Sequence, residues 1–198
     1  MSHMKRRLPI GIQDFVTIRE EGFCYVDKTA RIHQLITGSG RAFFLSRPRR
    51  FGKSLLCSTL RAIFEGRREL FQEIAGYPVL AINTLDWQWK KHPVIRLDLN
   101  AGAFSNGVEA LHRTLYSELQ AQSEKFGIEL EKADVISQFK YLIRKACDTI
   151  GEKAVVIVTV IVFLRRDLRC TTPLAYSTIL TRQENSCLTG MKPARRLF

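Results

Sequence analysis

Apolar residues recur along this chain at two spacings, and the points where one gives way to the other mark its elements. Ala42-Phe43-Phe44-Leu45 is a continuous apolar run, as a buried strand requires, whereas from Ser54 onward apolar side chains fall at 55, 56, 60, 63 and 64, the spacing of one helix face. Upstream, the stretch from Ile18 to Thr29 reads as an extended turn into a short helix over Thr29–Thr37, and Gly38-Ser39-Gly40 is a hinge. Downstream, Gly66 is a helix stop, and Arg67-Arg68-Glu69-Leu70-Phe71 opens a short helix that ends near Gly76. Val94-Ile95-Arg96-Leu97-Asp98-Leu99 then predicts a buried strand. Gly107–Lys125 carries Val108, Leu111, Leu115 and Leu119 in a helical stripe, and Lys132–Ile150 carries Val135, Phe139, Leu142, Ile143 and Ala146. Arg144 and Lys145 fall in the last turns of that second helix, where the dipole favours cations. Ala154–Val158 is β-branched enough for a central parallel strand. After Leu164 no clear period survives.

Strands alternating with helices predict an α/β fold, a parallel sheet flanked by helices. At 198 residues and 45% hydrophobic content the chain is long enough for one well-buried domain and too short for a second full one. A formal net charge of +12 suits a polyanionic partner, whether nucleotide, nucleic acid or membrane surface. Non-specific nucleic-acid binding, steeply salt-dependent, would follow from charge alone. The five cysteines are odd in number and form no C-x-x-C pair, so neither a zinc site nor a disulfide framework is indicated. No secretory apolar segment follows Lys5-Arg6-Arg7, and Ala154–Leu164 is too short to span a bilayer, so the expectation is a cytoplasmic protein with no membrane partner. Met1-Ser2-His3-Met4 reads as a vector remnant ahead of a native start. Nothing in the pattern sets an oligomeric state.

The loop between the first strand and its helix carries the chemistry. A phosphate-binding loop needs backbone N–H groups converging at a helix N-terminus, a Lys reaching the β- and γ-phosphates, and a hydroxyl to hold Mg²⁺. Gly52, Lys53 and Ser54 stand in that order. The expected ligands are therefore ATP and Mg²⁺, bound along Arg49, Arg50, Phe51, Gly52, Lys53, Ser54 and Leu55, with Ser54 as the metal ligand. Arg49 and Arg50 either add charge to the phosphate site or face solvent. The departure from G-x-x-x-x-G-K-[ST] is Arg47 at the first position, where a side chain restricts close approach of the loop to phosphate. The competing reading, a basic turn before an ordinary helix, is disfavoured by the apolar strand ahead and the amphipathic helix behind. Trp87 and Trp89, beside Lys90, Lys91 and His92, either stack nucleic-acid bases or anchor a long loop over a sheet edge. His112 reads as structural.

Four blocks, Leu8-Pro9-Ile10-Gly11, Tyr25-Val26-Asp27-Lys28-Thr29, Arg47-Pro48-Arg49-Arg50-Phe51-Gly52-Lys53-Ser54 and Trp87-x-Trp89 followed by Pro93-Val94-Ile95-x-Leu97-Asp98, together resemble the bacterial AAA-ATPase-like family. The resemblance covers about residues 5 to 158. It implies a P-loop NTPase-like fold and makes Arg47 a family trait. Longer members carry a C-terminal PD-(D/E)XK nuclease-like domain, for which this length leaves no room. By analogy with P-loop ATPases that set the segment before their first strand against the base, Tyr25, Val26 and Asp27 are candidates for the base pocket. The alternative is edge packing by Phe23, Tyr25 and Val26, with Asp27 as a helix cap. Asp98 ends an apolar strand as a Walker B acid would, but no second acid follows. In the family that strand precedes the true Walker B, which places Asp98 as a neighbouring polar group. The Walker B strand itself corresponds to Ala154–Val158, where the family continues with a cluster resembling Asp-Glu-Tyr-Asp and this chain continues Thr159-Val160-Ile161. Binding with weak or no hydrolysis is the expectation.

From Thr159 to Phe198 seven Lys or Arg face two acids, Asp167 and Glu184. The resemblance stops where this basic tail begins. Either the frame or gene was disrupted near Val158, leaving the fold incomplete at its C-terminus, or a divergent tail docks as an edge strand. Rival functional readings are a basic nucleic-acid-binding module and an inert truncated remnant.

Overall fold

Short polar side chains decide where the helices begin. A computed structural model describes residues 7–40, 42–47, 51–74, 76–99, 107–131, 133–160, 176–182 and 195–196. One compact unit runs to Gly40 and resumes from Gly52 to Lys91; the other takes residues 41–51 and those from His92 onward. The candidate loop residues Arg49 and Arg50 lie outside the described residues.

The first unit is helical. Asp14 caps α1 (Phe15–Glu20), its carboxylate accepting from the Thr17 amide at 3.1 Å and the Thr17 hydroxyl at 3.2 Å. α2 spans Thr29–Thr37, as its sequence predicts, and α3 spans Lys53–Phe64. Two 3₁₀ turns follow, Arg68–Phe71 and Ala81–Thr84. Phe15, Ile18, Leu60, Ile63, Phe64, Leu70 and Phe71 are buried together as apolar material. Aromatic rings run through them: Tyr25 meets Phe15 edge-on at 5.1 Å, Phe15 meets Phe71 at 4.9 Å, and Phe71 meets Trp89 at 4.9 Å. Trp87 meets Phe64 at 5.8 Å and His33 at 6.3 Å. The two tryptophans are thus engaged with Phe64 and Phe71 inside this unit.

Arg19 is buried on α1, its Nε donating to the Leu70 carbonyl at 2.8 Å and an Nη to that of Gln72 at 2.7 Å. It satisfies the carbonyl end of the first 3₁₀ turn. The sequence reads this region as an extended turn, because six residues give too few repeats to show a period and the buried face includes this arginine.

The second unit holds a five-stranded sheet in the order β2-β3-β4-β1-β5, with β1 Ala42–Arg47, β2 Val94–Asp98, β3 Val155–Val160, β4 Tyr176–Arg182 and β5 Arg195–Arg196. β2 pairs parallel with β3, and β1 parallel with β5, while β4 runs antiparallel to both β3 and β1. β1, β2, β3 and β5 therefore share one direction. The expected α/β architecture with a parallel sheet and helices is present in a mixed form: β1, β2, β3 and β5 run parallel, and β4 departs from the expectation by running antiparallel between β1 and β3. Tyr176–Arg182, where no period is legible, forms an interior strand and not an edge. Its threonines, isoleucine and tyrosine are strand formers, and both neighbours supply a full antiparallel ladder.

α4 (Gly107–Phe126) and α5 (Val135–Ile150) cover the face bearing Ile95, Leu97 and Val156, which pack with Leu119, Leu142, Ile143 and Ala154. α5 starts at Val135, three residues later than its apolar stripe predicts. The Asp134 carboxylate accepts from the Ile136 and Ser137 amides at 3.0 Å each, which fixes the cap there. α4 also reaches the outer edge of β2: Gln122 Oε1 accepts from the Arg96 amide at 3.4 Å and Glu118 Oε2 from the Asp98 amide at 3.0 Å.

Candidate functional site

The chain enters α3 through Gly52, which holds φ at +72° as the helix N-cap. That left-handed turn is where glycine is required, since a side chain would be strained there although nothing lies within 4 Å of a Cβ built on it. The Leu56 amide closes the first helical turn onto the Gly52 carbonyl at 2.9 Å. The amides of Lys53, Ser54 and Leu55 precede that first bond. No capping side chain serves the N-cap, and no acid sits in the first turn. The helix start thus presents backbone donors and the positive end of its dipole. Lys53 is half-buried, and burial pushes its ammonium below the usual lysine value while Cys57 acts in the opposite direction. Ser54 and Leu55 are half-buried beside it, and Phe51 is exposed.

This donor set fits an anion of several oxygens: amides, one lysine and one hydroxyl, with no acid in the helix's first turn to repel it. For a metal ion the set is thinner. Among the described residues no group of three His, Cys, Asp or Glu side chains could hold one.

The segment ahead of α3 is fastened to it. Ser58 donates to Asp14 Oδ1 at 2.7 Å and accepts from the Phe15 amide at 2.8 Å, a bridge that the sequence reading missed. Its only signal was an Asp placed to cap Phe15. Tyr25 is hydrogen-bonded to Thr59, and burial pushes its phenol above the usual value. Asp27 accepts from the Thr29 amide at 2.8 Å and the Ala81 amide at 2.7 Å, so both its oxygens hold backbone. The contacts that the structure gives Tyr25 and Asp27 are those of packing and capping. Val26 is exposed.

The sequence model of a predicted AAA-ATPase family matches residues 9–159. The chain belongs to this family. An uncharacterized protein in the vnfD 5′ region of Azotobacter chroococcum mcd 1 is 37% identical over 156 residues, 78% of this chain and 28% of that relative. The chain thus spans little more than a quarter of the curated relative it matches. No solved structure matches it significantly.

The AAA-ATPase family match ends at residue 159, at the strand where the family's acids are expected. β3 contains no acid. Thr159 is buried, and its Oγ1 has no hydrogen-bond partner among the described residues. It stands in parallel register with Asp98, whose carboxylate accepts from an Arg96 Nη at 3.1 Å. Because β1, β2 and β3 share a direction, Asp98 and Thr159 lie at the same end of the sheet as Arg47, the last residue of β1. His92 is buried, its Nδ1 3.0 Å from the Lys153 carbonyl oxygen. No helix among the described residues is long and apolar enough to cross a membrane.

Proposed function

We propose that this AAA-ATPase-like chain has a P-loop-like fold and binds ATP with Mg²⁺ at the start of α3, with weak or no hydrolysis. The observation that carries this reading is the Gly52 turn, which opens an uncapped, acid-free helix on Lys53 and Ser54. The first-turn amides would hold phosphate oxygens, the Lys53 ammonium would meet the β- and γ-phosphates, and the Ser54 hydroxyl would face the metal. Mg²⁺ bound with the nucleotide would neutralise phosphate charge. Hydrolysis further requires a group that orients the attacking water, and the sequence of β3 carries no acid.

Titration with a fluorescent ATP analogue, with and without Mg²⁺, tests the assignment. Saturable binding strengthened by Mg²⁺ and weakened at least about tenfold by Lys53→Ala, a loss of ~1.4 kcal/mol, is expected. Binding indifferent to that substitution overturns it. Rapid turnover abolished by Lys53→Ala would show that some other acid, such as Asp98, serves the reaction. The rival nucleic-acid reading, through Arg47, Arg49, Arg50, Lys90, Lys91 and the basic tail, is distinguished by nucleotide-independent, salt-sensitive DNA binding that survives Lys53→Ala.

A further inference from the structure

The outer face of α5 carries charge that the fold does not balance. Lys140, Arg144 and Lys145 are all exposed there, and none of them is paired with a carboxylate among the described residues. Elsewhere an acid within reach is used: Arg61 meets Glu65 four positions on at 2.9 Å, Arg67 meets Glu20 and Glu69 at 3.1 Å each, and Arg96 meets Asp98 at 3.1 Å. Arg144 has Asp148 at the same spacing as Arg61 has Glu65, yet its guanidinium lies over the Tyr141 ring, 5.7 Å from the centroid. The Lys145 ammonium lies over that ring too, also at 5.7 Å. Both side chains lean back toward the start of the helix, as long side chains on a helix do.

Two positive charges therefore converge on one half-buried ring, and Lys140, four residues ahead of Arg144, adds a third. Like charges at that spacing repel one another along a helix. The ring offsets part of the repulsion. The helix dipole does not account for these cations, because no basic residue stands in the last turn of α5, where its effect is felt. An external anion is what this face lacks. A bilayer would need a row of apolar side chains to enter it, and the large aliphatic side chain exposed on α5 is Ile136, next but one to the Asp134 cap. Cations gathered around an aromatic ring suit instead a polyanion that carries flat groups along its backbone.

We propose that the outer face of α5 binds single-stranded nucleic acid, with Lys140, Arg144 and Lys145 on its phosphates and the Tyr141 ring against a base. The site is separate from the start of α3 and stands whether or not ATP binds there. Fluorescence anisotropy of a short labelled oligothymidylate, titrated with the full chain at several salt concentrations, tests it. Lys140→Gln/Arg144→Gln/Lys145→Gln is expected to weaken binding at least about tenfold at low salt and to reduce the slope of log affinity on log salt by about 2, three contacts at ~0.7 each. Tyr141→Leu is expected to lose about fivefold with the slope unchanged, while Tyr141→Phe, which keeps the ring, keeps the affinity. Arg31→Gln/Lys90→Gln/Lys91→Gln removes the same charge from exposed positions outside α5 and leaves binding as it was, as does Lys53→Ala. An equal loss in the two triple variants overturns the proposal, since net charge alone would then explain the binding. Unchanged affinity in the α5 triple variant, no binding by the parent chain, or a loss confined to Lys53→Ala overturns it as well. Tyr141→Leu without effect overturns the single-strand assignment. Co-sedimentation with phosphatidylserine vesicles that the α5 triple variant abolishes, with no oligonucleotide bound by the parent, would assign the face to a membrane and overturn it too.

Discussion

Single side chains in the first unit hold several elements at once, and their removal should show it. Partial burial raises the Asp14 carboxyl, but hydrogen bonds from Ser58 and Thr17 outweigh that and hold it below the usual carboxylate value. A group depressed in this way contributes stability that is present above its unfolded pKa and lost as pH falls through its folded one. Asp14→Ala should therefore cost about 1 kcal/mol near neutral pH, the usual loss of a helix cap, and the difference from the parent should shrink below about pH 4. Denaturant midpoints from pH 7 to pH 2 measure both. A deficit that stays constant across that range would mean the carboxylate form is not what stabilises α1. Arg19 is a stronger case, because its buried guanidinium satisfies the Leu70 and Gln72 carbonyls. Arg19→Ala should destabilise by about 2–3 kcal/mol, leaving buried carbonyls without donors. Arg19→Lys should recover only part of this, since an ammonium cannot reproduce the fork.

At the scale of elements, α4 acts as a lid on a sheet edge. β2 is one of the two end strands among the described residues, and Glu118 and Gln122, one helical turn apart, accept from the Asp98 and Arg96 amides, two residues apart along the strand. One helical turn advances about 5–6 Å and two strand residues nearly 7 Å, so the two periods match closely enough for both bonds. The Glu118→Ala/Gln122→Ala variant should expose those amides and, like other open edges, self-associate with rising concentration in sedimentation experiments. A variant that stays monodisperse would show that the rest of α4 covers the edge unaided. Neither acceptor was legible in the sequence, where both belong to the solvated face of an amphipathic helix. The apolar faces were legible: the stripe through Leu115 and Leu119, the run Val94–Leu97 and the run Val155–Val158 all fall where their patterns put them, because burial on one face imposes a period that single residues cannot disguise. The Gly52 turn was legible for a different reason, since Gly-Lys-Ser after a strand and before a helix asks for one backbone shape. α1 was hidden by its shortness, and the partners of Asp27 by their distance, the Ala81 amide lying 54 positions along the chain.

For the molecule as a whole, the tail decides between a finished fold and a remnant. Its surplus of positive charge and broken texture argue for a passenger, yet residues 176–182 pair on both sides, with β1 from Ala42 to Arg47 and with β3 from Val155 to Val160. A central strand is the position that least tolerates proline, which removes a ladder donor and is confined to edges and bulges. Ile179 lies opposite Phe44 on one side and Val158 on the other. Ile179→Pro should therefore cost about 3 kcal/mol or more and lower the melting temperature of the chain by many degrees. The same substitution in an unstructured passenger would leave melting unchanged. Because β4 pairs with β1, and β1 precedes the Gly-Lys-Ser sequence by a few residues along the chain, the comparison bears on the nucleotide proposal too. If Ile179→Pro melts the fold and abolishes ATP binding together, the unusual tail is part of the nucleotide-binding domain. If neither changes, the strands around residues 42–47 and 155–160 close on each other or on some other segment, and the basic end is dispensable.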